Sequence, residues 1–375
     1  MKKFFVLLAL VMVLTPAAIA AEKLDFVILA IRHGDRGPFA NMKNAPYIWK
    51  YGFEQLTPAG MREEYNSGKL LRKRYVDEMK FLNPIYKNQT IYALADDIDR
   101  TIQSAQCLLM GLYPPKTGPL LGKKAVNAYA APGLAPKVNN GPALPYRFQS
   151  IPIRTCPSDN HLIMIPYEDY LNVLKEHVYN TDAWVKKTKE VESNFANWSK
   201  VSGNKIDSLE SAVGFGGQLN CAIANNKPLP KGITLEEAEK VVDLTSWGLC
   251  AQFKEEVVSY IAGAYLLNTM IENIKDAIAD KKPYKMVFYS GHDITLLPLM
   301  TLLGAPLDET PAYAAHMELE VYKTDDAKHI IKLRYNGKNV KSTLMGDKDS
   351  FTLEDLSKHV DGLNKKYKAY EKETK

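Results

Sequence analysis

A short apolar segment that ends in a cluster of charged residues most constrains what this chain can fold into. Residues 25–31 read DFVILAI, an almost uninterrupted apolar run with the length of a β-strand. Strands that are apolar on both faces occur where helices cover both sides of a sheet. Residues 32–36, RHGDR, follow directly. The segment therefore predicts a buried strand of an α/β sheet with polar side chains at its carboxyl end.

Apolar strands next to helices recur along the chain. Residues 91–95 (IYALA) and 284–291 (YKMVFYSG) have the composition of buried strands. Together these elements predict an α/β fold with a mixed central sheet flanked by helices. The predicted helices are 57–76, capped by Thr57, 99–113, capped by Asp99, and 254–280, and a predicted hairpin pairs 316–323 with 329–336.

Residues 153–245 differ from the rest because they are polar, helical in pattern and without strand signals. We interpret them as a smaller all-helical cap domain, inserted into an α/β core made of residues 21–152 and 246–375. A flexible linker is the alternative interpretation, but the aromatic and apolar residues of this region favour ordered packing.

The first twenty residues resemble a secretory signal peptide. Lys2 and Lys3 precede an apolar run at 4–14, and the small residues 17–20 lead to a cleavage site expected after Ala20. A retained N-terminal anchor is the alternative. Cleavage predicts a periplasmic or secreted protein without a membrane anchor.

Export changes the interpretation of the four cysteines, since oxidising compartments favour disulfides. No CxxC pair occurs, and three pairings are open. The most local pair, Cys221 with Cys250, is the expected bridge. Without Lys2 and Lys3 the chain has 46 basic and 43 acidic residues, a balance too mild to predict binding to nucleic acid.

The charged cluster after the first strand suits a tetrahedral oxyanion such as phosphate. Arg32 and Arg36 offer two guanidinium groups with fork-shaped donors, and His33 between them is a candidate nucleophile for phosphorus. A charged strand end that meets solvent explains any one of these residues. It explains the whole cluster poorly, because like charges repel without an anion between them.

Two further clusters follow predicted strands. Arg100 lies in the first turn of a helix, where a cation opposes the helix dipole unless an anion binds there, although a surface arginine is an equal alternative. His292 and Asp293 follow the strand 284–291. Asp293 is a candidate proton donor or only a helix cap, and His292 is a candidate ligand of phosphate or only a buried core histidine.

The order of these motifs, RHGxRxP, DxxRTxxSA and then HD after a strand, resembles the histidine acid phosphatases, a branch of the histidine phosphatase superfamily. The resemblance implies that His33 is the nucleophile and forms a phosphohistidine. It implies that Arg32, Arg36, Arg100 and His292 hold the phosphoryl oxygens and that Asp293 protonates the leaving group. It implies no metal and no cofactor, and a rate that is highest in acid.

The resemblance also implies a substrate class, the small-molecule phosphomonoesters. Phytases of the family continue HD with Thr-Asn, whereas Ile294 and Thr295 follow here, which favours a broad acid phosphatase over a phytase or sugar phosphatase. A phosphomutase and, from another class, an exported phosphate-binding protein are the remaining alternatives. The family often forms homodimers through a sheet edge, for which the C-terminal hairpin is the candidate. Tyr47, Trp49 and Phe53 are candidates for stacking on a leaving group or for packing the cap.

Overall fold

The computed structural model describes residues 22–123, 130–136 and 140–370, so the predicted signal peptide lies outside the described residues. The strands are β1 (Lys23–Arg32), β2 (Ile91–Asp96), β3 (Ile153–Cys156), β4 (Met286–Gly291), β5 (His316–Lys323), β6 (His329–Tyr335), β7 (Lys338–Asn339) and β8 (Phe351–Thr352). The α-helices are α1 (Pro58–Arg72), α2 (Asp99–Leu112), α3 (Tyr167–His177), α4 (Asp182–Val191), α5 (Phe195–Ser202), α6 (Leu209–Ala224), α7 (Leu235–Lys254), α8 (Glu256–Ile278), α9 (Asp293–Leu302) and α10 (Leu353–Lys366). Within these ranges no helix is long and apolar enough to cross a membrane.

The strands form one mixed sheet in the order β3-β2-β4-β1-β5-β6-β7, with β8 beside β6. The β3, β2, β4 and β1 strands run parallel, and β5 and β6 continue the sheet antiparallel to their neighbours. The apolar run that predicted a buried strand is β1, which lies between β4 and β5. The predicted α/β fold with a mixed sheet is confirmed, and so is the hairpin, formed by β5 and β6.

Helices cover both faces of this sheet, which explains the apolar character of β1 on both sides. Phe26 and Ile28 belong to a core cluster with residues of α8, α9 and α10. The alternate residues, Val27 and Leu29, belong to a second cluster with residues of α1 and α2. A third cluster lies mainly among the helices α3 to α8. The helical region therefore has an apolar core largely of its own.

The helical region begins and ends differently from the prediction. Residues Ile153–Cys156 form β3, an edge strand of the core sheet paired with β2. No strand pattern is visible in the sequence here, because the strand is four residues long and two of them are exposed. Helix α7 (Leu235–Lys254) continues without a break through the predicted boundary at 245. The division into a core and a cap domain stays a prediction.

Helix starts show which polar residues act as caps. Thr57 caps α1 as predicted, because its side chain accepts from the Gly60 N–H and Pro58 takes the first helical position. Asp99 is the first residue of α2, and Ile98 is the N-cap. At α9 the N-cap is His292, whose N–H donates to Thr295 Oγ1. Asp293 is therefore not the cap of this helix.

The expected bridge between Cys221 and Cys250 is wrong, since both cysteines are free, as are Cys107 and Cys156. Helices α6 and α7 pack antiparallel, and a Cβ added at Gly248 would contact Val213. Cys221, eight residues after Val213, therefore lies opposite residue 240, ten positions or roughly 15 Å from Cys250 along α7. A disulfide needs Cα atoms within about 7 Å.

The hairpin offers less free edge than the sequence suggested. β8 pairs with Ile330 and Ile331 at one end of β6, and β7 pairs with Arg334 and Tyr335 at the other. The Val340 N–H also donates to Leu333 O. Most of the backbone that an edge-to-edge homodimer would need on β6 is therefore already paired.

Candidate active site

The carboxyl ends of β1, β4 and β2 lie side by side at one edge of the sheet. The strands are parallel neighbours, and their register places Arg32 opposite Gly291. The His33 N–H donates to Gly291 O at 3.0 Å. Residues that follow each strand therefore meet at this edge, where ligands of open α/β sheets bind.

The structure brings all six predicted side chains to this edge. Arg32 Nη2 lies 2.9 Å from Asp293 Oδ2, and the ring centroids of His33 and His292 are 5.4 Å apart. Arg100 Nη2 lies 3.5 Å from His292 Nδ1. The sixth residue, Arg36, is close enough for its charge to lower the pKa values of His33, Asp293 and Arg100.

The imidazole of His33 is oriented as a nucleophile requires. Its Nδ1 lies 2.8 Å from Gly34 O. Because a carbonyl oxygen only accepts, Nδ1 carries the hydrogen and the lone pair is left on Nε2. Burial lowers the pKa of His33 well below its usual value, and the charges of His292, Arg100, Arg32 and Arg36 lower it further. The ring therefore stays neutral in moderately acidic solution.

His292 has the opposite tautomer. Its Nε2 lies 2.9 Å from Asp96 Oδ2, so Nε2 carries the hydrogen and Nδ1 faces Arg100. Burial lowers the pKa of His292, together with Arg100, and outweighs the carboxylate of Asp96, which raises it. Asp96 thereby fixes the orientation of the second histidine, a role that the sequence did not reveal.

The residues around Asp293 favour its ionised form. Burial raises the pKa of this carboxyl, but the positive charges of Arg32 and Arg36 outweigh burial and hold the pKa below its usual range. The Ile294 N–H also donates to Asp293 Oδ1 at 2.8 Å. A role as proton donor therefore requires a bound anion that competes for the arginines.

The three arginines retain unused hydrogen-bond donors. The Nε atoms of Arg32, Arg36 and Arg100 are buried, and none has a partner among the described residues. Buried donors are normally paired, because an unpaired one costs roughly 1–3 kcal/mol. Three such donors at one edge of the sheet fit a site that is completed by an anionic ligand.

The glycines of the first motif serve chain packing rather than ligand approach. A Cβ at Gly34 would lie 2.4 Å from Gly60 O, and a Cβ at Gly37 would lie 2.6 Å from Gly52 O. The Gly34 N–H also donates to Ser104 Oγ at 3.2 Å. These contacts hold the segment after β1 tightly against the start of α1 and the loop before it.

Other residues of the site lie in loops or in and just after helix α6. The periodic pattern of apolar residues does not identify them from the sequence. The guanidinium carbon of Arg32 lies 4.3 Å from the ring centroid of Tyr313. Cys221 Sγ lies 3.5 Å from Arg36 Nη1 and 3.6 Å from Tyr313 Oη. Asn225 donates to Asp35 Oδ1 at 3.1 Å, which links helix α6 to the first motif.

The aromatic residues of the loop before α1 differ in their contacts. Tyr47 and Trp49 contact each other at 5.6 Å between ring centroids, and Tyr47 packs against the helical cluster. Phe53 is exposed. Phe39 of the same loop, which the sequence did not single out, lies 4.4 Å from the guanidinium carbon of Arg36.

Carboxylates at the site are engaged with cations or histidines: Asp96 with His292, Asp293 with Arg32, and Glu54 with Arg100. No group of three or more metal-ligating side chains occurs in the part of the chain that the structure describes. The cluster can bind an anion, because the guanidinium groups of its arginines attract negative charge.

Comparison with known proteins identifies the family to which the chain belongs. Residues 23–336 match the family model of the histidine phosphatase superfamily (branch 2), and the chain belongs to that superfamily. The family predicted from the motifs is thereby confirmed.

Curated relatives are acid phosphatases. The chain is 28% identical to prostatic acid phosphatase of Rattus norvegicus over 91% of this chain and 87% of the relative. It is 30% identical to testicular acid phosphatase of Homo sapiens over 92% of this chain and 78% of the relative. Among solved structures, a Hafnia alvei phytase with bound myo-inositol hexakis sulphate superposes with a TM-score of 0.65 at 15% identity, covering 92% of this chain and 98% of the phytase. That likeness shows the fold alone.

Proposed function

We propose that the chain is an exported acid phosphatase that hydrolyses a broad range of phosphomonoesters through a phosphohistidine, without a metal ion. The observation that carries the proposal is the setting of His33. Its Nδ1 is held by Gly34 O, its Nε2 lone pair is free, and its pKa is lowered by burial and by arginines. The acid phosphatases among the relatives support the reaction class. Export to the periplasm or medium rests on the N-terminal residues 1–20.

The reaction has two steps that use the same two residues. His33 Nε2 attacks phosphorus, the bond from phosphorus to the ester oxygen breaks, and Asp293 gives its proton to the leaving oxygen. Water then attacks the phosphohistidine, Asp293 takes the water proton, and the P–N bond breaks to release phosphate and restore His33. Arg32, Arg36, Arg100 and His292 stabilise the charge on the phosphoryl oxygens.

The phosphate group itself prepares Asp293 for its role. By themselves, the surrounding residues lower the pKa of Asp293, because the charges of Arg32 and Arg36 outweigh burial. A bound phosphate dianion takes over hydrogen bonds of these arginines and adds negative charge nearby, and both changes raise the pKa of Asp293. Activity should therefore fall as pH rises and Asp293 loses its proton. The lowered pKa of His33 extends activity into acid.

The test is hydrolysis of an aryl phosphate and an alkyl phosphate between pH 4 and 8 with a chelator present. The wild type should turn over both, with a maximum in acid. His33→Ala should lose at least about 10⁴-fold in kcat, as expected for removal of a nucleophile. Asp293→Ala should lose roughly 10²–10⁴-fold on the alkyl ester. Its loss on the aryl ester should be smaller, because that leaving group needs less help from an acid.

Three results would contradict the proposal. Activity that survives His33→Ala would exclude a phosphohistidine at this residue. Loss of activity with the chelator would indicate a metal-dependent reaction. Stoichiometric phosphate binding without any product would identify the cluster as the site of a phosphate-binding protein.

A further inference from the structure

Glu54 contacts the phosphate-binding cluster although no motif gives it a role. Its Oε2 accepts a hydrogen bond from Arg100 Nη1 at 3.0 Å. The side chain of Arg100 is 2% exposed and that of Glu54 is 41% exposed, so the carboxylate lies on the solvent side of the guanidinium. A ligand that reaches Arg100 from solvent therefore passes next to this negative charge.

The backbone holds Glu54 at this place in an unfavourable conformation. Its φ is 61°, in the left-handed region that residues other than glycine rarely adopt. The Glu54 N–H donates to Pro38 O at 3.1 Å, and Gly37 packs against Gly52 O in the same loop. Strain of this kind persists only where the surrounding structure enforces it. The loop thus fixes the carboxylate beside the arginines.

The ion pairs of the three arginines show that Glu54 differs from the other carboxylates. Arg32 pairs with Asp293, which the proposed reaction uses for proton transfer. Arg100 pairs with Glu54. Arg36 donates to Gly37 O and Cys221 Sγ and has no ion pair with a described residue. Glu54 therefore adds a negative charge to the mouth of the site that the proposed reaction does not use.

Phe39 forms the neighbouring part of the mouth. Its side chain is 63% exposed. Its ring centroid lies 4.4 Å from the guanidinium carbon of Arg36 and 5.6 Å from that of Arg100. The organic group attached to a bound phosphate would therefore extend out of the site between an apolar ring and a carboxylate. Neither surface favours a second phosphate.

We propose that Glu54 is a specificity-determining residue, which selects phosphomonoesters with a leaving group free of negative charge and disfavours substrates with further phosphates. The inference rests on the proposed function and narrows its substrate class. A carboxylate and a phosphate dianion about 8 Å apart in a half-exposed site repel each other enough to change kcat/KM by roughly tenfold.

The experiment compares kcat/KM for myo-inositol hexakisphosphate and a myo-inositol monophosphate in the wild type and in Glu54→Gln, at one pH and low ionic strength. The wild type should prefer the monophosphate. The ratio of hexakisphosphate to monophosphate activity should rise about tenfold in the variant. The difference between the two proteins should shrink at high salt, because ions screen the repulsion. A purely structural effect of the substitution would not respond to salt in this way.

Two further variants keep the result interpretable. Glu272→Gln removes an exposed carboxylate of α8 that pairs with Lys275, and it should leave the ratio unchanged. Glu54→Gly removes the charge and also the strained backbone conformation, so it should fold at least as well as the wild type and raise the ratio equally.

An unchanged ratio in both Glu54 variants would overturn the inference while leaving the phosphatase proposal intact. A wild type that hydrolyses neither ester, or one whose activity survives His33→Ala, would overturn the proposed function and the inference that depends on it.

Discussion

The active-site edge and strand β5 both bury charged side chains, but they do so in opposite ways. Glu320 on β5 accepts from Arg74 at 2.7 and 2.8 Å, and from the hydroxyls of Tyr75 and Tyr322 at 2.8 and 2.7 Å. At the active site, the three arginines each keep a buried Nε without a described partner. A charge whose hydrogen bonds are complete contributes to stability. A charge with donors left over is available to a ligand.

Glu318, two residues before Glu320 on the same strand, avoids the cost of a buried charge in a third way. Its carboxyl oxygens are buried and have no hydrogen-bond partner among the described residues. Burial raises the pKa of Glu318 to about 8, and the charge of Glu320 raises it as well. The group is therefore mostly protonated at neutral pH, so the cost of a buried unpaired charge is avoided.

Within this comparison, the largest effect is expected from Arg100→Gln, which removes a charge with spare donors. We expect kcat/KM to fall about 10³-fold, because the proposed site loses one donor to the phosphoryl oxygens. Stability should hold or rise, since burial lowers the pKa of Arg100 and so opposes its charge. Enzyme kinetics and urea unfolding measure the two quantities, with the exposed Arg62→Gln on α1 as the control. A large loss of stability with little loss of activity would show that Arg100 contributes to stability as Glu320 does, and would contradict the contrast between the two regions.

Glu320→Gln should have the converse effect. The variant leaves Arg74 without a carboxylate, and we expect it to lose about 3 kcal/mol of unfolding free energy at pH 7. Activity per folded molecule should stay within about twofold of the wild type, because none of these residues contacts the arginine cluster. Denaturant unfolding and active-site titration would check both.

The pKa of Glu320 determines how its contribution to the free energy of unfolding depends on pH. Burial raises the pKa of Glu320, but hydrogen bonds from Arg74 and Tyr322 and the charge of Arg74 outweigh burial and lower it. Its stabilising contribution is therefore present above the unfolded pKa of about 4.3 and is lost as pH falls through the folded value. The difference between variant and wild type should accordingly shrink in acid. A difference that grows in acid would contradict the assignment.

Glu318→Gln should have an effect that depends on pH in the other direction. The folded pKa of Glu318, about 8, lies above the unfolded value. Its contribution is therefore fully present below pH 4 and is lost as pH rises through 8. We expect wild type and variant to unfold alike at pH 4, and the variant to be more stable by roughly 4 kcal/mol at pH 9. Equal stability at both pH values would show that Glu318 is ionised throughout or solvated.

The sequence was most informative where a strand and its register decide the outcome. Arg32, His33, His292 and Asp293 each follow an apolar strand, and parallel strands carry such residues to one edge of the sheet. Local patterns could not reveal Glu54, Phe39 or Tyr313, because their positions depend on loop conformation. The same limit explains β3, which is short and half-exposed, and the cysteine pairing, which depends on how α6 and α7 face each other.

The register of β1 and β4 has a consequence for how this protein can be altered. Six consecutive residue pairs, from Val27 with Met286 to Arg32 with Gly291, fasten the two strands, and His33 and His292 are the next residue on each. The sheet thus positions these two histidines of the proposed site, whereas Phe39 and Glu54 belong to the loop that follows the first motif. Exchanging that loop should therefore change the substrate preference proposed for Glu54 without moving His33, the proposed nucleophile.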